Sequence, residues 1–224
     1  MSITPLAGVI AGTHHDTQLG QAFLRRLGWR TLAHATARTP AEQDLLQRRH
    51  PHVLQALCLH AVDEMAEQGA AHVVIYCSSL SSVLDLQALR SAIAIPVRTP
   101  LESYAEVAKA HARIAVLAAN TVGLDGAMAA LQAERPDADV YGMHDMALVC
   151  ALERGEIPDQ AIDASLLNFV EHANFRCEAL LLACTHFPVI ADYLASLTSL
   201  PVYHFNTWLE RELGPIRSDL RARG

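Results

Sequence analysis

The segment His72-Val-Val-Ile-Tyr-Cys77-Ser is an apolar run that ends in a cysteine, and Ala179-Leu-Leu-Leu-Ala-Cys184-Thr repeats it. Each residue of the second copy lies 107 positions after its counterpart, as Cys184 does after Cys77. Gly8-Val-Ile-Ala-Gly-Thr13 and Ala115-Val-Leu-Ala-Ala-Asn120 match at the same offset. A repeat at one offset, with cysteine at the same place in both copies, predicts two similar structural units.

Around these segments, short apolar runs alternate with longer helical patterns, which is typical of βαβ units and a mostly parallel sheet. The predicted strands lie near residues 6–11, 30–36, 72–76, 94–98, 113–118, 139–143, 179–183 and 201–205. The predicted helices lie near residues 17–27, 51–68, 81–92, 101–111, 122–134, 158–175, 188–198 and 206–220.

The repeat predicts an α/β fold of two pseudo-symmetric, flavodoxin- or Rossmann-like domains. We expect the first domain to comprise residues 1–99 completed by residues 206–224, and the second to comprise residues 100–205. Ligands in open α/β sheets bind beyond the carboxyl ends of the strands. Two such domains facing each other would therefore place Cys77 and Cys184 in one cleft.

Composition excludes several classes of protein. No apolar stretch approaches the roughly 20 residues that span a bilayer, and the N-terminal residues lack the pattern of a secretory signal. Five cysteines without a CxxC pair indicate reduced thiols, so we expect a cytoplasmic protein. A net charge of −7 with a single lysine argues against a nucleic-acid surface, which needs clustered basic residues.

Each repeated cysteine follows a strand and precedes polar residues, Ser78-Ser79 in the first copy and Thr185-His186 in the second. At the N-terminus of a following helix, partial positive charge would lower the pKa of the thiol. Either cysteine alone could equally be a small core residue, but the matched pair favours chemistry. Cys58, Cys150 and Cys177 lie in helical patterns and are predicted to be packing residues.

The motifs resemble a known family. Leu181-Leu-Ala-Cys-Thr-His-Phe-Pro188 is similar to the Gly-Cys-Thr-His-Tyr-Pro segment of glutamate racemases, and Val74-Ile-Tyr-Cys-Ser-Ser79 lies where that family has Cys-Asn-Thr. Gly8-Val-Ile-Ala-Gly-Thr13 occupies the place of its first glycine-rich substrate loop. The resemblance implies the aspartate/glutamate/hydantoin racemase superfamily, with two pseudo-symmetric α/β domains and no metal, flavin or pyridoxal cofactor.

The chain departs from the glutamate racemase pattern at three places. Ser78 replaces the asparagine after the first cysteine, and Ala11-Gly-Thr13 stands where those enzymes have Asp-Ser-Gly. Asn206-Thr207 follows the last strand in place of Asp-Ser or Asp-Thr. These departures count against glutamate as the substrate but leave both cysteines intact.

The implied chemistry is a racemisation or epimerisation of an amino acid or small carboxylate. Inverting a carbon centre requires a base on one face and an acid on the other, which two cysteines across a cleft supply. Removing a proton beside a carboxylate also concentrates negative charge, so donors must face it. The candidate substrate-binding donors are Thr13, Ser78, Ser79, Asn120, Thr121 and Thr185.

Two further residues are candidates for tuning the thiols. By similarity to related racemases, Asp16 and His186 would be the catalytic partners of the cysteines. Asp16 could alternatively be the N-cap of a helix that begins near Thr17. Asn120 and Thr121 could likewise be capping groups at the end of a strand.

We expect no cofactor. Pyridoxal phosphate needs a lysine for its Schiff base, and the only lysine, Lys109, lies in a pattern typical of an exposed helix. Neither an HExxH motif nor Cys/His zinc spacing occurs, so no metal is expected, and GxGxxG and GxxxxGK[ST] are absent as well. The expected partner is a small-molecule carboxylate; a homodimer is common in similar enzymes.

Three alternatives remain beside the racemase interpretation. A maleate isomerase-like enzyme would use the same cysteines differently, one as a nucleophile that adds to a double bond and the other as an acid. A decarboxylase-like member would keep a single cysteine, and this chain has both. A catalytically silent domain that binds a carboxylate would be favoured by the loss of one cysteine motif, and neither is lost.

Overall fold

Two parallel four-stranded sheets form the framework of the protein. The structure, a computed structural model, describes residues 4–216. The strands are β1 (Leu6–Ala11), β2 (Arg30–Ala35), β3 (Ala70–Ile75), β4 (Val97–Arg98), β5 (Arg113–Ala118), β6 (Asp139–His144), β7 (Ala179–Ala183) and β8 (Val202–His204). The first sheet has the order β2-β1-β3-β4 and the second the order β6-β5-β7-β8, so the second repeats the topology of the first. The predicted α/β fold with two similar, parallel sheets is confirmed.

Helices cover the faces of both sheets. They are α1 (His14–Arg26), α2 (Pro40–Arg49), α3 (Pro51–Glu67), α4 (Ser78–Val83), α5 (Leu86–Ser91), α6 (Pro100–Ala110), α7 (Thr121–Glu134), α8 (Met146–Glu153), α9 (Pro158–Ala161), α10 (Ala164–Arg176), α11 (Ala191–Leu197) and α12 (Phe205–Leu213). A 3₁₀ turn, Phe187–Ile190, precedes α11. None of the helices in the described part of the chain is long and apolar enough to cross a membrane.

The central strands are the most buried part of the fold. Almost every residue of β1, β5 and β7 is apolar and buried, as expected for parallel strands covered on both faces. Side chains of β1 and β3 pack on one face with α3 and on the other with α1. In the second sheet, β5 and β7 pack with α6 and α7 on one face and with α8 and α10 on the other.

The last helix returns to the first sheet. Although α12 directly follows β8 of the second sheet, its residues Phe205, Trp208 and Leu209 pack with Val9 and Tyr76. This packing supports the division into residues 1–99 with 206–224 and residues 100–205, which we retain as a proposal. Residues 1–3 and 217–224 of that division lie outside the described residues.

Several predicted elements have different bounds. Helix α1 begins at His14, not near Thr17, because Thr13 caps it. The helix predicted over 81–92 is two helices, α4 and α5, because Asp85 caps the second with an N–H···O bond of 2.9 Å from Ala88. Asp163 likewise divides the helix predicted over 158–175 into α9 and α10.

The remaining differences concern the ends of predicted elements and two helices that were not predicted. The helix predicted over 188–198 starts as the 3₁₀ turn, and strands β4 and β8 are shorter than predicted. Helix α12 ends before Gly214, whose φ of +64° suits glycine. Residues 217–220 of the helix predicted over 206–220 lie outside the described residues. Helices α2 and α8 are absent from the predicted elements, and both border the cavity described below.

Helices α4 and α7, which follow Cys77 and Asn120, approach each other closely at Gly126. A Cβ added at Gly126 would overlap the Ser82 side chain and lie 3.5 Å from Ser82 Cα. The missing side chain therefore lets one helix of each sheet pack together beside the strand ends, and this contact helps to fix the relative position of the two sheets.

We expect Gly126→Ala to lower the free energy of unfolding by about 1–3 kcal/mol, because overpacking at a close helix contact forces side chains and backbone apart. Helix propensity alone would instead raise stability by about 1 kcal/mol, so the sign of the change is informative. Urea unfolding measures it. Exposed Asp125, one position earlier, supplies the control Asp125→Ala, which should stay within about 0.5 kcal/mol. A gain in stability for Gly126→Ala would contradict the close contact.

Candidate active site

A cavity lies beyond the carboxyl ends of the central strands, where open α/β sheets bind ligands. Cys77, after β3, and Cys184, after β7, both line it. The other lining residues come from both sheets: Gly12, Thr13, Asp16, Pro40, Gln43, Asp44, Ser78, Ser79, Ala119, Asn120, Gly123, Met146, Val149, Ala183, Thr185 and His186. The repeat therefore places its two thiols in the wall of one cavity.

Cys77 is buried and has few polar neighbours. It is the N-cap residue of α4, and its Sγ lies 3.6 Å from Ser79 Oγ. Burial raises the pKa of Cys77 well above its ordinary value, and the nearby Asp16 carboxyl raises it further; the Leu80 N–H and the Ser79 hydroxyl oppose this only in part. The expectation that a helix N-terminus lowers the pKa of this thiol is wrong, because α4 is only six residues long and desolvation dominates.

Cys184 has a charged neighbour that Cys77 lacks. Its Sγ lies 3.7 Å from Nδ1 of His186, which is also buried. The other ring nitrogen of His186, Nε2, lies 3.1 Å from Glu153 Oε1. The ring stacks on His15 with a centroid distance of 5.7 Å and an interplanar angle of 6°. His186 thus connects the sulfur of Cys184 to a carboxylate on α8.

Asp16 lies next to the same ring nitrogen of His186 as Cys184 does. Its Oδ1 accepts a 2.9 Å hydrogen bond from the Thr185 hydroxyl and lies 3.7 Å from His186 Nδ1. The alternative that Asp16 is a helix N-cap is wrong: Thr13 caps α1, and its Oγ1 accepts the N–H of Asp16 at 3.2 Å. Burial raises the pKa of Asp16, although His186 and Thr185 act in the opposite direction.

Asp16, Cys184 and Glu153 all affect the pKa of His186. Burial alone would lower the pKa of His186, but Asp16, Cys184 and Glu153 together raise it well above 6.5. Burial of Glu153 would raise its pKa, but hydrogen bonds from His186 and Thr13 lower it overall. In the protonated state that these neighbours favour, both ring nitrogens of His186 are donors.

We expect the ring of His186 to remain protonated at pH values where an unperturbed histidine has lost its proton, since its pKa is raised. In Glu153→Gln the pKa of His186 should fall, because the variant removes one of the two carboxylates that stabilise the imidazolium. Ring ¹⁵N chemical shifts followed over pH measure both values. A histidine in an unstructured peptide, with a pKa of about 6.5, provides the reference under the same conditions. A His186 that titrates with this reference in the native protein would contradict the prediction.

Most other predicted site residues line the cavity with their polar groups already bonded. Thr13 Oγ1 donates to Glu153 at 2.6 Å, and Ser78 Oγ lies 2.5 Å from the Tyr104 hydroxyl. Ser79, Asn120 and Thr185 also line the cavity and are bonded to protein groups. Thr121 is exposed at the first position of α7 and is not among the lining residues.

Helices α2 and α8 bring residues to the site that the motifs did not indicate. Asn120 Nδ2 donates to Asp44 Oδ1 at 2.8 Å and to Gln47 Oε1 at 3.1 Å, and Gln47 Nε2 donates to Ser79 Oγ at 2.8 Å. Glu153 on α8 bonds to His186. The capping pattern Thr39-Pro-Ala-Glu42 is a sequence signal that could have located the start of α2.

The remaining cysteines lie away from the cavity wall. Cys58, on α3, is fully buried in the core, while Cys150 and Cys177 are partly buried. No disulfide joins any of the five cysteines. Within residues 4–216, no group of three or more His, Cys, Asp or Glu side chains is arranged to hold a metal ion.

The amino-acid sequence matches a known protein family over most of its length. A family model described as Asp/Glu/Hydantoin racemase matches residues 17–209. A glutamate racemase from Pseudomonas putida is 28% identical over 187 residues, which cover 79% of this chain and 69% of that relative.

Solved structures share the fold at low sequence identity. A glutamate racemase from Francisella tularensis, crystallised with D-glutamate, has a TM-score of 0.71 at 16% identity and covers 95% of this chain and 80% of that chain. An allantoin racemase from Klebsiella pneumoniae has a TM-score of 0.63 at 18% identity, over 89% of this chain and 82% of that chain. Proteins with different substrates thus share this architecture.

Proposed function

Because the chain belongs to the Asp/Glu/hydantoin racemase family, we propose that it inverts the configuration at a carbon beside a carboxyl or carbonyl group by acid–base catalysis with Cys77 and Cys184. Family membership makes the protein an isomerase of the racemase type. The proposed substrate is an amino acid, an amino-acid derivative or another small carboxylate, and the proposed mechanism uses no cofactor.

One observation carries the proposal: two cysteines at equivalent strand ends of two similar sheets line a single cavity. A thiolate on one face of a substrate carbon can remove its proton, and a thiol on the other face can return a proton with inverted configuration. The pseudo-symmetric fold supplies two thiols. A reaction that runs in both directions requires such a pair, because each group must act as the base in one direction and as the acid in the other.

The two thiols have unequal surroundings, and we infer different roles from them. Burial holds the proton on Cys77, whose pKa is raised. Cys184 Sγ instead lies 3.7 Å from Nδ1 of His186, whose pKa is raised, so a protonated ring would balance negative charge that develops at this side of the cavity. From this geometry we assign Cys184 the role of base and Cys77 the role of acid in the forward direction.

In the forward reaction the Cys184 thiolate removes the proton from the substrate carbon and becomes a thiol. The electron pair of the broken C–H bond delocalises into the adjacent carboxyl or carbonyl group. The Cys77 thiol then donates its proton to the opposite face of the carbon and becomes a thiolate. The reverse reaction begins from that state, so proton and charge balance over one cycle in each direction.

Incubation in D₂O with aspartate, glutamate, neutral amino acids and 5-substituted hydantoins, each as separate enantiomers, tests the proposal. We expect solvent deuterium at the inverted carbon of at least one substrate, measured by NMR, together with loss of optical rotation. Exchange without a change of optical rotation would contradict inversion. A parallel sample contains maleate. Its conversion to fumarate with no exchange in the other samples would instead identify the cis–trans isomerase, and the absence of every reaction would favour a binding domain.

A further inference from the structure

Gln43 contributes a buried amide to the cavity wall. It lies on α2 and is 5% exposed, and its Oε1 lies 2.8 Å from Thr36 Oγ1, whose single hydroxyl proton is shared with the Ala11 carbonyl oxygen at 3.1 Å. Its Nε2 is buried and has no hydrogen-bond partner within the described residues. A buried amide nitrogen without a partner is costly to the folded state, so a partner that binds there would recover that cost.

The position of Gln43 places this amide beside the reacting thiol. A Cβ added at Gly12 would lie 3.1 Å from Gln43 Cγ and 3.5 Å from Cys77 Sγ. Gln43 and Cys77 therefore border the same small space next to Gly12. The absence of a side chain at Gly12 lets Gln43 and Cys77 approach each other closely.

Most of the other side-chain donors of the cavity wall are engaged within the protein. Their bonds are Thr13 to Glu153, Thr185 to Asp16, Ser78 to Tyr104, and Asn120 to Asp44 and Gln47. The Ser79 hydroxyl accepts from Gln47 Nε2 and lies 3.6 Å from Cys77 Sγ. The lining residues also include two aspartates but neither lysine nor arginine. An oxygen of the substrate must therefore find neutral donors, and the Gln43 amide retains unused N–H capacity.

We propose that Gln43 is a substrate-binding residue that donates a hydrogen bond from Nε2 to a carbonyl or carboxylate oxygen of the substrate. The inference rests on the proposed function for the identity of the ligand, but the binding site itself is argued from the unpartnered amide. Binding of this oxygen beside Cys77 would orient the inverted carbon between the two thiols.

Three variants test the role of Gln43. Gln43→Met keeps the volume and removes the donor, and Gln43→Glu replaces the donor with an anionic acceptor. Thr36→Val removes the hydroxyl that bonds to Gln43 Oε1, and it leaves the Gln43 amide with its Nε2 unchanged. KM and kcat come from the D₂O exchange assay with the substrate that the native enzyme exchanges fastest.

A hydrogen bond to a charged or strongly polar oxygen corresponds to about a 10- to 100-fold change in affinity. We expect KM to rise by that factor in Gln43→Met, with a smaller change in kcat, and to rise further in Gln43→Glu. In Thr36→Val we expect KM to change by less than about threefold. Equal losses in Thr36→Val and Gln43→Met would assign the effect to structure and overturn the proposal. A KM that is unchanged or lower in Gln43→Glu would also overturn it, because the amide oxygen would then face the substrate.

Binding measurements separate this proposal from the proposed function. Calorimetric titration with succinate, glutarate and hydantoin needs no turnover. If the native protein exchanges no substrate yet binds one of these probes, and Gln43→Met binds it at least about tenfold more weakly, the racemase proposal fails and the role of Gln43 stands. If the native protein binds none of them and Gln43→Met leaves KM unchanged for every exchanged substrate, the role of Gln43 fails while racemisation stands. A native protein that neither exchanges nor binds overturns both.

Discussion

Replacing Cys77 or Cys184 with serine is expected to lower the rate of racemisation by about 10³-fold or more in each single variant. Each cysteine serves one face of the substrate carbon, so losing either removes the base in one direction and the acid in the other. A serine hydroxyl near neutral pH is a far poorer base than a thiolate. Polarimetry starting from each pure enantiomer measures the loss.

The two variants should differ in a partial reaction. The remaining cysteine can still remove a proton from its own enantiomer and return one to the same face. We therefore expect deuterium exchange without inversion, for one enantiomer with Cys77→Ser and for the opposite enantiomer with Cys184→Ser. Cys177→Ser, outside the cavity, is the matched control and should retain native rates. Near-native racemisation by either active-site variant would remove that cysteine from the mechanism.

Replacing His186 with asparagine should give the second largest loss, about 10²- to 10³-fold in kcat/KM. The variant keeps a hydrogen-bonding side chain but removes the positive charge that faces Cys184 Sγ. It also leaves the buried Asp16 without its charged neighbour, which should further disfavour a second negative charge on sulfur. Because racemisation has an equilibrium constant of one, kcat/KM must fall equally for both enantiomers.

The asymmetry of this defect should appear in isotope effects. Proton removal by Cys184 becomes slower, so the isotope effect on substrate deuterated at the reacting carbon should increase for the enantiomer that Cys184→Ser fails to exchange. The other enantiomer, whose proton is removed by Cys77, should show a decreased isotope effect, because that step then limits the rate less. His172→Asn, at an exposed position of α10, should change neither rate nor isotope effect. Equal increases for both enantiomers would argue against a specific pairing of His186 with Cys184.

The fold was largely predictable because it is encoded in short, local patterns. The apolar runs around Val9, Val74, Val116 and Leu181 are buried parallel strands, and the offset of 107 positions places them in matching order in both sheets. The cysteines at the ends of two of these runs then had to lie at equivalent edges. Chain topology alone accounts for that part of the site.

The rest of the site depends on contacts between distant residues. Glu153 lies on α8, 33 residues before His186, and no motif indicated that their side chains meet. Helix α2 has weak apolar periodicity because it buries glutamines, Gln43 and Gln47, rather than large apolar side chains. The change in the pKa of Cys77 depends on how completely the folded chain excludes water, which local sequence does not determine.

We also expect the hydrogen bonds that line the cavity to limit the speed of product release. Thr13 with Glu153, Thr185 with Asp16, and Asn120 with Asp44 each join an element that precedes β5 to one that follows it. If the cleft widens when a substrate leaves, some of these bonds must break. These bonds should therefore oppose opening of the cleft. A variant that weakens them should release product faster but catalyse proton transfer more slowly. Solvent viscosity should then affect turnover most in the native enzyme.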